Sequence, residues 1–378
     1  MRKIYYIALY DTNEWIHEKR RVFQSGINKA NTVINALNNL GWNVNIISMS
    51  TTLGDKRCPA RICDLSLQTK LYQFACFGRK GTLSRITNFI WLRLQLVHYV
   101  SRHIKNNDIV IVYHNTEYPK LIYLLKKLLC FKMILELEEI YADVNGNERL
   151  RKKENHLIDK ADAFIFPTEK LNERVNRHNK PFAIVYGPYM IRTKSKRRNY
   201  DNIIHVVYAG TFNPQKGVLD AIKAAGFLSE EYTLHILGNG SENEITIVKK
   251  TIGETIHRTN ASIMYEGEIK GESFYDFLEK CDIGLCPQDP NALFTDTSFP
   301  SKVLTYLSCG LRVVSIKIPS ISESKIGDMI SFYSEQDPQE IANTIRSVDL
   351  HSTFDYVNRI IELKSDFEKS MSKILENI

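Results

Sequence analysis

The sequence contains no run of about 18 uninterrupted apolar residues, so it offers no transmembrane helix of ordinary length, although 43% of its 378 residues are apolar. It contains no Cys-x-x-Cys pair. The seven cysteines stand at 58, 63, 76, 130, 281, 286 and 309, and an odd count without paired spacing argues against a disulfide framework and for a reducing cytoplasm. Cys58, Cys63 and Cys76 have no fourth ligand at zinc spacing, so no metal site is expected there. Internal repeats, low-complexity tracts and Asp-x-Asp motifs are absent as well. The opening Met1-to-Tyr10 stretch has the charged start and apolar run of a signal peptide, but Asp11 ends the run early and no small-residue cleavage site follows. It reads as a first buried strand.

The formal charge of +7 favours anionic partners. Basic residues gather at Arg79-Lys80 with Arg85, at Arg151-Lys152-Lys153, and from Lys194 to Arg198. Each cluster singly reads as a solvated loop. Together they suit peripheral contact with an anionic membrane surface. They lack the interleaved aromatics or the module that nucleic-acid binding requires, so no nucleic acid is expected as a partner.

Short apolar runs alternate with amphipathic stretches along the chain, the pattern of an α/β protein with parallel sheets wrapped by helices. The first half predicts strands at Ile4–Tyr10, Asn43–Ser48, Asp108–Tyr113, Met133–Leu137, Ala163–Pro167 and Ala183–Tyr186. A helix before the second strand ends near Leu40-Gly41, where glycine takes the left-handed capping conformation. Second-half strands are predicted at Ile203–Ala209, Thr233–Leu237, Ser262–Tyr265, Ile283–Cys286 and Arg312–Ile316. The expected organisation is a first domain over 1–190, a basic linker over 191–202, a second domain over 203–352, and a terminal helix over 353–378 that returns to the first domain. At 378 residues, two domains fit better than one.

Two elements point to phosphate chemistry. Val206-to-Val218 runs as a buried strand, a tight turn through Pro214-Gln215-Lys216-Gly217, and a helix. A lysine beside a helix N-terminus opposes the helix dipole unless an anion sits there. Thr297-to-Gly310 repeats the arrangement, with Pro300 expected at the first helical position, Ser298 or Phe299 at the cap, Lys302 in the first turn and Gly310 ending the helix. Two such cations in one domain suit a diphosphate.

The ordered set of Pro214-x-Lys216-Gly217, Leu237-Gly238-Asn239-Gly240, Tyr265-Glu266-Gly267-Glu268-Ile269 and Pro300-Ser301-Lys302…Gly310 resembles the nucleotide-binding half of the group 1 retaining glycosyltransferases. The resemblance covers about residues 203–320 well and the whole chain more loosely. It implies the GT-B fold, two Rossmann-like doubly wound domains facing a central cleft. It implies a nucleotide-diphosphate sugar as donor, with Gly26, Gly210, Thr211, Lys216, Glu266, Ser301, Lys302 and Thr305 at its site, and no metal. Thr211 stands where the family has an arginine. Thr297 and Thr305 stand where it has two glutamates, so a hydrogen-bonding threonine replaces a carboxylate beside the ribose.

In the first half, Ser25-Gly26-Ile27-Asn28-Lys29 sits where the family places a glycine loop against donor phosphates, and Gly26 would let backbone approach an oxygen. The strand ending in Leu137 runs into Glu138-Glu139, where many family members carry a histidine facing the reacting sugar. Glu138 or Glu139 could orient or deprotonate an acceptor hydroxyl, or form a surface pair on a turn. His114 and Asn115 are further candidates, and His156 reads as a helix-surface residue. The expected catalytic set is Glu138, Lys216 and Lys302, serving retaining transfer to a glycan or lipid-linked acceptor. A sugar-nucleotide epimerase on the same fold and a non-catalytic sugar-nucleotide-binding subunit remain open.

Overall fold

The structure is a computed structural model that describes residues 2–378 apart from Phe23, Lys80, Thr116, Gly146, residues 193–201 and Phe294. The basic run from Lys194 to Arg198, and most of the expected linker, therefore lie outside the described residues. Two compact units form, one from residues 1–188 and 364–378, the other from residues 189–363.

The first unit holds an eight-stranded sheet in the order β3-β4-β2-β1-β5-β6-β7-β8. Its strands are β1 Lys3–Ala8, β2 Asn43–Ser48, β3 Arg61–Ser66, β4 Thr69–Gln73, β5 Ile109–Tyr113, β6 Lys132–Glu136, β7 Ala163–Phe166 and β8 Phe182–Ile184. All neighbours are parallel except β3 on β4. Runs such as Ile109-Val110-Ile111-Val112 and Ala163-Phe164-Ile165-Phe166 are buried without alternation, as parallel strands covered on both faces must be. The helix Gln24–Asn39 ends as expected at Gly41, whose φ is 80°. There the Trp42 N–H donates to the Leu37 carbonyl at 3.0 Å.

The second unit holds six parallel strands in the order β11-β10-β9-β12-β13-β14. They are β9 Ile204–Thr211, β10 Tyr232–Asn239, β11 Ser262–Gly267, β12 Ile283–Cys286, β13 Arg312–Ile316 and β14 Ile330–Tyr333. The chain fills one half of the sheet outwards from β9 and then restarts beside β9 with β12. This is the doubly wound order, whose reversal point is where such sheets bind ligands.

Three strands escape the sequence reading. β3 and β4 form an edge hairpin whose turn, Leu67-Gln68, carries no turn residue, and whose outer strand alternates between exposed and half-buried positions. β14 is four residues long and half-buried in its middle. Cys58 and Cys76 exchange backbone hydrogen bonds of 2.9 and 3.0 Å as an isolated antiparallel bridge, and both thiols are free.

β9 and β12 pair through only two positions, Ile283 with Val206 and Gly284 with Val207. Above them the Tyr306 ring lies against β12 so closely that a Cβ at Gly284 would fall 2.3 Å from it. The Tyr306 hydroxyl accepts the Ala209 N–H at 2.8 Å, satisfying a strand donor at that point. Gly284→Ala should therefore cost about 1–3 kcal/mol by overpacking. Gly253→Ala, in an open position of the helix Glu242–Ile256, should instead stabilise by about 0.5–1 kcal/mol. Urea unfolding of the two variants checks the pair of opposite signs.

Candidate functional site

In the second unit the predicted lysines meet at the carboxyl end of β9, beside its parting from β12. Two glycines shape this edge. Gly217, with φ of 75°, closes the Pro214–Lys216 turn so tightly against Pro287 that a Cβ would lie 1.5 Å from its carbonyl oxygen. Gly238, with φ of 149°, approaches Gly210 in the same way, a Cβ there falling 1.8 Å from the Gly210 oxygen. The Asp289 N–H donates to the Gln215 carbonyl at 2.9 Å, and Gln336 donates to the Pro287 carbonyl at 2.7 Å. The turn carrying Lys216 is thus held by backbone on both sides.

Lys302 stands in the first turn of the helix Ser301–Ser308. Pro300 is the residue before that helix, not its first position, and its own backbone is extended, with ψ of 107°. The Lys302 ammonium is buried with no hydrogen-bond partner among the described residues. It lies 4.1 Å from the centroid of the Tyr208 ring, and a Cβ on Gly210 would come within 3.0 Å of it. Burial pushes its pKa down to about 8, with the charge of Lys216 adding to the fall and the Cys286 thiol opposing it. A buried ammonium held over an aromatic face without a counterion is a receptor for an anion.

The other expected donor residues divide. Thr211 ends β9 in an exposed position, and its carbonyl accepts the Tyr208 hydroxyl at 2.8 Å. Ser301 opens the Lys302 helix, and its carbonyl accepts the Thr305 hydroxyl at 3.0 Å. Thr297 is buried, at 4% exposure. Glu266 lies on β11, at the sheet edge, where a register shift turns it toward His235; the His235 Nδ1 lies 2.8 Å from its Oε1. The His235 Nε2 in turn lies 2.9 Å from the His205 Nδ1. The structure therefore engages Glu266 with imidazole, two strands away from β9, and does not bring it to the lysines.

In the first unit Gly26 is not in a loop. It belongs to the first turn of the helix Gln24–Asn39, because that helix begins before Ser25. It still lines a cavity of about 200 Å³ with Ala8, Ala30, Tyr113, Asn115 and Tyr141, at the ends of β1 and β5 where this sheet also reverses direction. Glu138 is no loose surface pair: its Oε1 lies 2.6 Å from the buried Lys29 ammonium. Behind it Glu136, the last residue of β6, is fully buried and accepts the Tyr6 hydroxyl. Burial, and then the charge of Glu138, push the Glu136 carboxyl up to about 7, against the pull of Lys29 and of the Tyr6 hydrogen bond. Tyr6, Lys29 and Glu136 were not foreseen. The available signal was a charged residue interrupting each of two apolar patterns.

His114 is buried at 1% exposure and stacks on Tyr141 with ring centroids 5.2 Å apart. Its pKa is lowered by burial to about 4. Glu154, beside it, accepts the N–H groups of Tyr141 and Ala142, each at 2.9 Å, and so fixes the segment after Glu139. Asn115 lines the 200 Å³ cavity, while His156 is exposed and packs edge-on against Tyr123. Among the described residues no group of three or more His, Cys, Asp or Glu side chains is placed to hold a metal ion.

Two doubly wound units of this kind constitute the GT-B fold. The chain is similar to sucrose-phosphate synthase from Thermosynechococcus elongatus, at 12% identity and a TM-score of 0.72, over 100% of this chain and 99% of that one. It is similar to an α,α-trehalose-phosphate synthase (UDP-forming) from Burkholderia xenovorans in complex with glucose-6-phosphate, at 10% identity and a TM-score of 0.68, over 100% and 98%. A third likeness is the E. coli trehalose-6-phosphate structure bound with UDP-2-fluoro glucose, at 10% identity and a TM-score of 0.67, over 99% and 98%. Residues 204–348 match the family model of the glycosyl transferases group 1. No curated protein matches the chain.

Glu136 yields a prediction on stability. Its pKa is higher folded, about 7, than its ordinary 4.5, so its stabilising contribution is complete below the lower value and is lost as pH rises toward the upper one. Each unit of separation is worth about 1.4 kcal/mol. Glu136→Gln keeps an acceptor for Tyr6 and removes the ionisation. Its melting temperature relative to the parent should rise steadily from pH 4.5 to pH 7 and level off above that, which thermal scans across this range will reveal.

Proposed function

We propose that the chain is a glycosyltransferase that takes a sugar from a nucleoside-diphosphate donor held on the second unit. The observation that carries this reading is the buried Lys302 ammonium, without a partner among the described residues, beside Gly210 and close to Lys216. Both lysines lie inside the segment that matches the group 1 glycosyltransferases, at the reversal point of a doubly wound sheet. The donor diphosphate would supply the counter-charge that Lys302 lacks. During transfer the bond from the anomeric carbon to the β-phosphate oxygen breaks, and the two ammonium groups stabilise the charge that develops on the departing diphosphate.

The acceptor binds on the first unit, where Glu138, oriented by Lys29, engages its hydroxyl. That oxygen bonds to the anomeric carbon on the face the phosphate leaves, its proton passes to the leaving phosphate, and the product retains the donor configuration. The acceptor is a glycan or a lipid-linked sugar, reached from the cytoplasm at an anionic membrane. Thr305, one helical turn beyond Ser301, would meet the ribose in place of a carboxylate. Threonine at 297 and 305 also favours a second reading, a non-catalytic subunit that binds sugar nucleotides. The two part on transfer itself: donor binding without sugar transfer to any acceptor, or hydrolysis, supports the second.

Calorimetric titration with UDP, GDP, ADP, CMP and dTDP tests the donor site. One nucleotide should bind saturably, and Lys302→Met should weaken it about 10- to 100-fold, as loss of a charge-assisted contact to phosphate requires. Lys302 is charged below about pH 8 and loses its proton above it. Binding to the parent protein should therefore weaken from pH 7 to pH 9.5, whereas the Met variant should lose that dependence. A folded protein that binds none of the five would overturn the assignment.

A further inference from the structure

A cluster of six cations in the first unit lies outside the groups described so far. A cavity of about 740 Å³ is lined by Arg21, Arg79, Arg85, Arg93, Lys120 and Lys153, with Glu117 as its single carboxylate. Several basic side chains of this unit are matched: Arg20 and Arg61 with Glu18, Lys126 with Asp162, Arg151 and Arg174 with Asp143, Lys29 with Glu138. The cations around the cavity are not matched in this way. Arg93 donates to the carbonyls of Phe89 and Glu117 and lies over the Phe89 ring, so it is fixed in place without an ion pair among the described residues. The other five cations have no ion pair among the described residues. Like charges gathered around an open volume call for a ligand carrying several negative charges.

The position of the cavity narrows the choice. It shares Arg21, Met49, Thr51, Glu117 and Tyr118 with the 200 Å³ cavity at the ends of β1 and β5. An anion held here is therefore continuous with that smaller cavity, and every residue lining the two belongs to the first unit. One wall is the helix Gly81–His103, whose far side is apolar yet exposed: Leu83 is 77% exposed, Ile86 and Ile90 53%, Leu94 56% and Val97 37%. Their spacing of three and four residues places them on one stripe.

We propose that this cavity binds the phosphate or diphosphate group of a phosphorylated acceptor. The proposal rests on the reading of the first unit as the acceptor side of a glycosyl transfer. The phosphate can be borne by a soluble sugar or by a membrane lipid, and the apolar stripe would face the bilayer in the second case.

The test uses the full chain carrying Lys302→Met, so that the donor lysine does not contribute, and titrates it with inorganic pyrophosphate. Saturable binding is expected, weakened at least about tenfold by Arg85→Ala with Lys153→Ala and unchanged by Lys373→Ala, an exposed lysine away from the cavity. Circular dichroism of each variant establishes that it is folded. Absence of saturable binding, or equal weakening by Lys373→Ala, overturns the proposal. UDP titrated into the Arg85→Ala, Lys153→Ala protein with Lys302 intact should bind as the parent does, so the donor reading stands or falls separately. A parallel arm measures sedimentation with neutral vesicles doped with dicetyl phosphate. Capture that Ile90→Ser with Leu94→Ser abolishes, with pyrophosphate binding intact, assigns the phosphate to a lipid. Pyrophosphate binding without capture assigns it to a soluble acceptor. Either result supports the site.

Discussion

The second unit depends on one ring. β9 and β12 are adjacent in the sheet but hydrogen-bond through only two residue pairs, and the place where the next pair would form is closed by Tyr306. Its hydroxyl supplies the acceptor that Ala209 needs, and its ring takes the space that Gly284 leaves. Because Tyr306 is one turn beyond Lys302 on the same helix, the contact that seals the sheet also sets the lysine over the end of β9. Packing and ligand chemistry thus share a short helix, and neither can shift without the other.

Two buried ionisable groups show how unlike environments prepare unlike tasks. Lys302 is pushed toward neutrality by burial, with only a thiol nearby to favour its charge. Glu136 is pushed toward its protonated form, yet is joined through Glu138 to a lysine that pulls the other way. The first is an incomplete pair that an incoming anion completes. The second already has partners within its own unit, Tyr6 on Glu136 and Lys29 on Glu138, and the outermost carboxylate, Glu138, is thereby oriented.

Much of the architecture could be read directly, because parallel strands covered on both faces must be continuous apolar runs. Asn43–Ser48, Ile283–Cys286 and Arg312–Ile316 have the predicted bounds, and Gly41 caps its helix where a left-handed residue was needed. The hairpin of β3 and β4 was hidden because an edge strand with exposed alternate positions looks like loop. Lys302 was legible from its conflict with the helix dipole, which is local. The grouping of Tyr6, Lys29 and Glu136 was not, since three distant elements must fold before those side chains meet. The placement of Glu266 depended on a one-residue register shift at the end of β11, which no pattern of residue types reveals.

The final helix, Tyr356–Asn377, begins in the second unit and finishes in the first. Phe367, Met371 and Ile374 are buried within it, and Asn39 donates to Glu368 at 2.7 Å. On a ribosome these residues emerge only after the whole of the second unit has been made. The first unit, although synthesised first, must therefore wait with part of its core uncovered until those residues have left the ribosome, and it is in this interval that the chain is most open to chaperones and proteases.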